Sequence, residues 1–406
     1  MAKRILMIND HIHFSGGGDA VFRLERQLYH RLGYEVHTFS QAPIPPDGAT
    51  DQDHVFVESQ NRLINKARKY TGSRKVASFF QQTLNLISPD LVRVHLVSKY
   101  PLSIYPYLKH YPVIQTLHGP NLFCATSWGN LKKNSEPCEM GVGPKCCSQG
   151  CISAASYPLY QQFFSRLTPS VKAAVNLYLC PSRFIESAAK HVGFNPTVHL
   201  PLGIDKIFSQ VNTRPARFEQ PSLLFVGSLV ESKGVRYLIE ALNLIRKEVP
   251  NVMLRICGRG PELAGLKAQT AQSQLETNVK FLGFTEREQL LELYQRSHCL
   301  VVPSIWAEQF GLIGPEALAS QTPVVASEVG GIPEWLVEGK SGFLVQPRNP
   351  QQIAEKTVKI LKSESMMEQF GEFGRQFVLE HFSCDQYEIQ LELLLKEKNF
   401  GCGPVA

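Results

Sequence analysis

The sequence predicts an α/β protein made of two doubly wound parallel sheets. Three observations carry that expectation. Short apolar runs alternate with amphipathic stretches along the chain, the grammar of strand–helix–strand units. Several of the runs, such as Leu223–Val226 and Leu300–Val302, are apolar throughout, as in strands buried on both faces. The grammar then repeats within 406 residues, whereas a single hydrophobic core stops growing near about 250–300 residues.

Arg4–Ile8 reads as the first buried strand. Asp19–Leu32 follows as a helix, with Val21, Leu24, Leu28 and Leu32 at helical spacing and Gly33 as its stop. Glu35–Phe39, Leu91–Leu96, Val113–Leu117 and Leu177–Cys180 read as further strands. Helical patterns occupy Lys75–Ile87 and Arg183–His191. In the second half the strands are Leu223–Val226, Val252–Cys257, Val279–Phe281, Leu300–Val302 and Val324–Ala326. Helical patterns at Val235–Glu248, Glu262–Ser273, Glu286–Gln295 and Pro315–Ser320 separate them. Pro215 and Pro221 break the periodicity, so the boundary is expected near Asp205–Pro221. The expected units are 1–205, with a Cys-rich insertion at about 124–151, and 206–380. A last helical run, Asp385–Lys396, lies in the segment 381–406 and is free to pack back on either half, the first being the candidate.

Charged residues make up 19%, too few for a disordered chain. Asn9 and Asp10 stop the first apolar run too soon for a signal-peptide core. No stretch reaches the roughly 20 apolar residues of a membrane span. The expected compartment is the cytosol, where ten cysteines read as thiols or metal ligands rather than disulfides. The charge is uneven. Residues 1–205 hold 21 basic and 13 acidic side chains, or +8; residues 206–406 hold 21 and 23, or −2. A basic first half suits an anionic partner surface.

Glu308-Gln-Phe-Gly-Leu-Ile-Gly-Pro-Glu316 follows a β-rich run and leads into a helix whose start is marked by Gly314-Pro315. A helix N-terminus favours anions, and two carboxylates beside it would repel them. They read better as acceptors for sugar hydroxyls, Glu316 on a ribose diol and Glu308 on a hexose. The alternative is a solvated Glu308 and a Glu316 that merely complements the helix dipole. Gly227-Ser-Leu-Val-Glu-Ser-Lys233-Gly234 follows a strand directly. Lys233 there projects near the carboxyl edge of a sheet, where a single ammonium can neutralise a departing diphosphate. Alone, it also reads as an ordinary exposed lysine.

Ser15-Gly16-Gly17-Gly18 permits close backbone approach to a phosphate or sugar, but lacks the order of a dinucleotide fingerprint or a P-loop. His118 ends a strand before a Gly-Pro turn. A lone histidine is weak evidence for function. Cys124, Cys138, Cys146, Cys147 and Cys151 punctuate a loop almost without aliphatic residues. Four thiolates, Cys124, Cys138, Cys147 and Cys151, would hold one Zn²⁺ and stand in for the missing core. Reduced thiols in a flap, or a redox switch, are the alternatives. Arg62, Lys66, Arg68, Lys69, Arg74 and Lys75 occur with no acidic residue between Ser59 and Pro89. With Leu63, Ala67 and Tyr70 at helical spacing, the run suits an anionic membrane face as well as a solvated helix. Nucleic acid is not expected, because no binding signature accompanies the charge.

Together these motifs resemble the retaining glycosyltransferases of family 4. The resemblance adds the Thr116-Leu-His118 step, Pro201-Leu-Gly-Ile-Asp205, Cys257-Gly-Arg-Gly-Pro-Glu262, Phe281-Leu-Gly283 and Pro323-Val-Val-Ala326, in order along nearly the whole chain. It implies the GT-B fold, two Rossmann-like domains facing a central cleft. It also implies a nucleotide-sugar donor on the second domain and a glycan or lipid-linked acceptor on the first. Lys233 would contact the diphosphate, Glu316 the ribose, and Glu308 with the amides of Phe310, Gly311, Leu312 and Ile313 the donor sugar. His118, with Gly16 and Gly17, would reach the donor from the first domain. His118, Lys233 and Glu308 are thus the catalytic candidates. Ser228 stands where many relatives carry a diphosphate-gripping Arg, so either another cation such as Arg259 or Arg236 substitutes or donor binding is weaker. No cofactor is expected for catalysis, the zinc being structural. The implied activity is retaining hexosyl transfer in cell-surface polysaccharide synthesis, at the cytosolic face of the membrane. A catalytically silent scaffold of the same fold is the rival reading.

Overall fold

A computed structural model describes residues 2–10, 17–42, 50–59, 61–129, 132–133, 136, 138, 140–210, 215–398 and 400. The chain divides into two compact units. One comprises Met1–Pro201 with Tyr387–Ala406, the other Leu202–Gln386.

Unit 1 contains β1 (Arg4–Ile8), α1 (Gly17–Arg31), β2 (Glu35–Ala42), β3 (Asp53–Val57), α2 (Arg62–Thr71) and α3 (Arg74–Ile87). It continues with β4 (Leu91–Val94), β5 (Val113–Thr116), α4 (Lys145–Ser148), α5 (Tyr157–Ala174), β6 (Leu177–Cys180), α6 (Arg183–His191) and β7 (Thr197–His199). The strands form one parallel sheet in the order β3-β2-β1-β4-β5-β6-β7. The order reverses between β1 and β4, which leaves a crevice beyond their carboxyl ends. β1 and β4 are buried on both faces, and helix side chains such as Phe80, Leu84 and Phe163 complete the core.

Unit 2 contains α7 (Lys206–Ser209), β8 (Ser222–Val226), α8 (Val235–Glu248), β9 (Met253–Cys257), α9 (Leu263–Gln272), β10 (Val279–Gly283) and α10 (Arg287–Arg296). Next come β11 (Cys299–Val302), α11 (Ile313–Ala319), β12 (Val324–Ser327), β13 (Gly342–Val345), α12 (Pro350–Leu361) and α13 (Glu364–Phe382). Its parallel sheet runs β10-β9-β8-β11-β12-β13, with the reversal between β8 and β11. The last helix, α14 (Cys384–Glu397), joins unit 1 from Tyr387 onward.

The expected strands of both halves are present, with ends unchanged or shifted by at most three residues. Several helix starts differ by one or two residues, and at α11 the difference matters. α11 begins at Ile313, so Pro315 is its third residue and not its first. The turn before it is made by Gly311, at φ 83°.

Candidate functional site

The second unit's site grows from two loops at the β8/β11 reversal. The loop after β8 carries Ser228 and Lys233. It ends at Gly234, φ 67°, where a Cβ would lie 1.9 Å from the Pro303 carbonyl oxygen. Only glycine closes this turn, so Lys233 is held against the loop that follows β11. That second loop runs from Pro303 into α11 and carries Glu308 and Phe310–Leu312.

Lys233 Nζ donates to Glu308 Oε1 at 2.6 Å, and Ser304 Oγ donates to the same oxygen at 2.6 Å. The ammonium also lies 5.1 Å from the Trp306 ring centroid. Glu308 is only 4% exposed. Burial opposes its charge, but Lys233 and Ser304 outweigh burial and hold the carboxyl below its ordinary range. The Glu308 backbone is fixed too: its carbonyl accepts from the Gly331 amide at 2.7 Å. Gly330, at φ 60°, passes so close that a Cβ would sit 2.1 Å from that carbonyl oxygen.

Glu316 has the opposite character. It is buried on α11 and accepts from Tyr294 Oη at 3.2 Å. Burial pushes its carboxyl up to about 7, against the pull of Arg287 and the Tyr294 hydroxyl. Near neutral pH it therefore exists in both protonation states. Phe310 is a core residue: its ring packs on Phe382, and its carbonyl accepts from Trp335 Nε1. Gly311, Leu312 and Ile313 remain partly exposed at the start of α11. Leu229 N donates to Arg259 O at 2.9 Å, which places exposed Arg259 in the strand-end loop beside Ser228. Its guanidinium lies 5.8 Å from the Phe284 ring. Arg236 is exposed on α8.

In unit 1, Gly16 lies outside the described residues, and Gly17 opens α1. His118 follows β5 and donates to or accepts from His95 Nδ1 through Nε2, at 3.0 Å. Burial, reinforced by His95 and Arg93, pushes His118 well below the ordinary histidine range, so the ring is neutral. Sequence reasoning missed its surroundings. Arg93, in the middle of β4, grips Glu25 of α1 with Nε and Nη2, both at 2.7 Å. Tyr387 of α14 donates to the same carboxylate. A charged residue inside an apolar strand was the available signal for Arg93; nothing in the sequence pairs it with Glu25.

The predicted zinc ligands are not drawn together at bonding distance. Among the described residues, the group of ligand atoms lying within 4.8 Å of one another is Cys384, Asp385 and Glu388, at the start of α14. Cys138 and Cys151 instead lie within electrostatic range of each other and of Cys124 and Cys146. Burial raises both thiols, and these neighbours add to it. Cys147 is not among those neighbours. It adjoins Cys146 in the single turn of α4, where consecutive side chains point about 100° apart.

Residues 210–377, most of unit 2, match the family model of glycosyl transferases group 1. An uncharacterized glycosyltransferase of Methanocaldococcus jannaschii is 34% identical over 43% of this chain and 47% of its own length. The chain thus spans about half the length of that relative. A D-inositol 3-phosphate glycosyltransferase of Corynebacterium diphtheriae is 27% identical over 91% of this chain and 89% of its own. Among solved structures, sucrose-phosphate synthase from Thermosynechococcus elongatus superposes with TM-score 0.76 at 20% identity, covering 98% of this chain and all of that one. HepE of Anabaena, in complex with UDP and glucose, gives 0.72 at 18% identity, over 97% of this chain and all of that one. These likenesses establish the fold, two Rossmann-like units of the GT-B kind.

Proposed function

We propose that the protein is a retaining glycosyltransferase of family 4 that moves a hexose from a nucleoside-diphosphate sugar to a glycan or lipid-linked acceptor. The observation that carries this reading is the group at the β8/β11 crevice. Partly exposed Lys233 pairs with a buried, ionised Glu308, and Glu316 lies on the adjoining helix. Open α/β sheets bind ligands at such a reversal. The UDP-glucose held by a protein of the same fold, HepE of Anabaena, supports the donor class.

On this reading the acceptor hydroxyl attacks the anomeric carbon on the face from which the diphosphate departs. The bond from anomeric carbon to diphosphate oxygen breaks, and that oxygen takes the hydroxyl proton. Lys233 stabilises the departing charge, the main electrostatic contribution. Glu308 and the backbone around Gly311–Ile313 hold the sugar, and Glu316 holds the ribose. No carboxylate nucleophile is required. Ser228 supplies one neutral hydrogen bond, and Arg259 is the adjacent cation. Synthesis of a cell-surface polysaccharide at the cytoplasmic side of the membrane suits this chemistry and the basic first half.

A panel of UDP-, GDP- and ADP-sugars tests the reading by nucleoside-diphosphate release, with product anomeric configuration read by NMR. Lys233→Ala is expected to lower turnover by about 10²–10³-fold, the effect of losing one oxyanion-type donor. Unchanged turnover of a folded variant would remove Lys233 from the mechanism. The scaffold reading has Ser228 in its favour; it requires that no donor of the panel be turned over.

The cysteine loop is proposed to take one structural Zn²⁺, with Cys146 replacing Cys147 beside Cys124, Cys138 and Cys151. Cys146-x4-Cys151 keeps a short ligand spacing, and the site's net −2 charge would lie beside Lys132 and Lys145. Elemental analysis should find about one zinc per chain, retained in Cys147→Ser and lost in Cys146→Ser. Absence of zinc from metal-replete protein counts for the redox or flap readings.

A further inference from the structure

Unit 1 holds a buried chain of ionisable side chains that ends on His118. Arg93 and Glu25 are its fixed end, with neither side chain exposed. Besides Glu25, Arg93 donates to Thr116 Oγ1 and to the Ile114 and Val94 carbonyls, so the guanidinium cannot swing away. His95 is the middle link. Its Nε2 faces Glu25 Oε2 at 3.3 Å, and its Nδ1 lies 3.0 Å from His118 Nε2. The two imidazoles stack with centroids 5.3 Å apart and 18° between planes, and Phe22 packs edge-on against His95. His118, the far end, is partly exposed.

Counting protons along this chain assigns both rings. Burial opposes ionisation of Glu25, but Arg93 and His95 overcome it, so the carboxylate is charged and can only accept. At His95 burial and Arg93 outweigh the pull of Glu25 and disfavour an imidazolium, and burial, His95 and Arg93 disfavour one at His118. Each ring therefore carries one proton. At His95 it belongs on Nε2. A bare nitrogen there would face a carboxylate at 3.3 Å in a dry site, and Nε2 has no better-aligned partner among the described residues. His95 Nδ1 is then an acceptor, so His118 Nε2 must donate to it. Nδ1 of His118 keeps its lone pair.

We propose that Glu25 and His95 are positioning residues that lock His118 as the Nε2–H tautomer, so that its Nδ1 offers a hydrogen-bond acceptor to a sugar hydroxyl. The proposal rests on the reading of His118 as a donor-contacting residue. It adds a selectivity that a histidine alone does not have. An acceptor nitrogen takes an O–H group and repels a phosphate oxygen, so this edge suits the neutral polyol part of a ligand. Gly18 keeps that edge clear, since a Cβ there would touch the ring at 3.5 Å from Cγ and 3.6 Å from Nδ1.

Two-bond ¹H–¹⁵N spectra of the full chain, labelled with ¹⁵N-histidine, report which ring nitrogen carries the proton. His118→Gln identifies the His118 signals by their loss. The expected ligand-free pattern is a protonated Nε2 and a bare Nδ1 at His118. His95→Phe keeps the aromatic packing but removes the acceptor, and should move His118 towards the other tautomer. His95→Asn puts an amide oxygen near the place of Nδ1 and should preserve it. Turnover should fall about 10–100-fold in His95→Phe, by analogy with the loss of an outer partner that orients a metal-bound histidine, and recover in His95→Asn. A wild-type His118 protonated on Nδ1 overturns the proposal, even where variants fail to fold. So does a His95→Phe spectrum identical to wild type. The spectra need no substrate, which separates this test from that of the proposed reaction. The expected wild-type spectrum together with a fully active His118→Leu variant, which offers no acceptor, overturns the sugar contact alone, leaving transfer to the residues of unit 2.

Discussion

Glu308 and Glu316 lie eight positions apart, both nearly buried, and carry opposite perturbations. Burial raises both. At Glu308 it is outweighed by a direct ammonium; at Glu316 Arg287 and a tyrosine hydroxyl do not suffice, and the carboxyl titrates at about 7. If a ribose diol donates to Glu316, the ligand prefers the ionised form. Binding then releases a proton, and affinity rises as pH rises through 7. With a free-state value of about 7 and a bound value well below it, Kd should be about 10-fold weaker at pH 6 than at pH 8. Calorimetry in buffers of different ionisation heat measures the proton release directly. Glu316→Gln should weaken binding and flatten the pH dependence. A wild-type Kd that stays constant over this range would exclude the diol contact. The sign for folding is the reverse: a raised carboxyl stabilises fully below the ordinary value of 4.5, and that contribution is lost as pH rises through 7.

At the scale of elements, the Glu25–Arg93 pair clamps α1 to β4, and Tyr387 adds α14 to the same carboxylate. Removing one partner leaves the other charge buried alone. Glu25→Ala should therefore destabilise by about 3–5 kcal/mol in urea unfolding. The double variant Glu25→Leu/Arg93→Met removes both charges, and is expected to regain most of that stability. If the single and double variants unfold at the same urea concentration, the pair is not the clamp. This clamp also marks the limit of sequence reading. β1, β4, β8 and β11 were legible because a short apolar run between turn signals fits little besides a buried strand. β3, β7 and α5 were not recognised, since edge strands and partly exposed helices dilute the pattern with polar residues, and β13 because it is a four-residue run opening on glycine. Lys233 and Glu308 were named from their strand-end loops, but their mutual contact was not, because it depends on how Gly234 folds one loop onto the other. Cys146 against Cys147 was undecidable without α4. The pairing of Glu25 with Arg93 spans 68 positions and has no local signature.

For the whole molecule, the excess of positive charge in residues 1–205, 21 basic against 13 acidic, belongs to the half that contains α2. α2 is anchored by Tyr70, whose ring packs on Phe163 at 5.2 Å and whose hydroxyl meets Tyr160 at 3.3 Å. Its other apolar side chains turn outward. Leu63 is 77% exposed and Ile64 40%, with Lys66 and Ala67 also exposed between them and the anchor. A solvated helix has no use for two bare aliphatic side chains among lysines and arginines, whereas a headgroup layer accommodates both kinds. No helix among the described residues is long and apolar enough to cross a membrane, so the contact proposed is superficial. Each basic side chain near an anionic surface contributes about 1 kcal/mol, and the attraction is screened within a Debye length. Flotation with phosphatidylcholine vesicles containing about 30% phosphatidylglycerol should carry the protein up at low salt. The protein should stay at the bottom near about 0.5 M salt, where the Debye length is a few ångströms. Leu63→Ser should weaken flotation at low salt by removing the inserting side chain, while Lys66→Glu should shift the salt midpoint downward. Equal flotation with pure phosphatidylcholine, or none with either vesicle, would assign the basic charge of this half to the acceptor or to solvent instead of to a membrane.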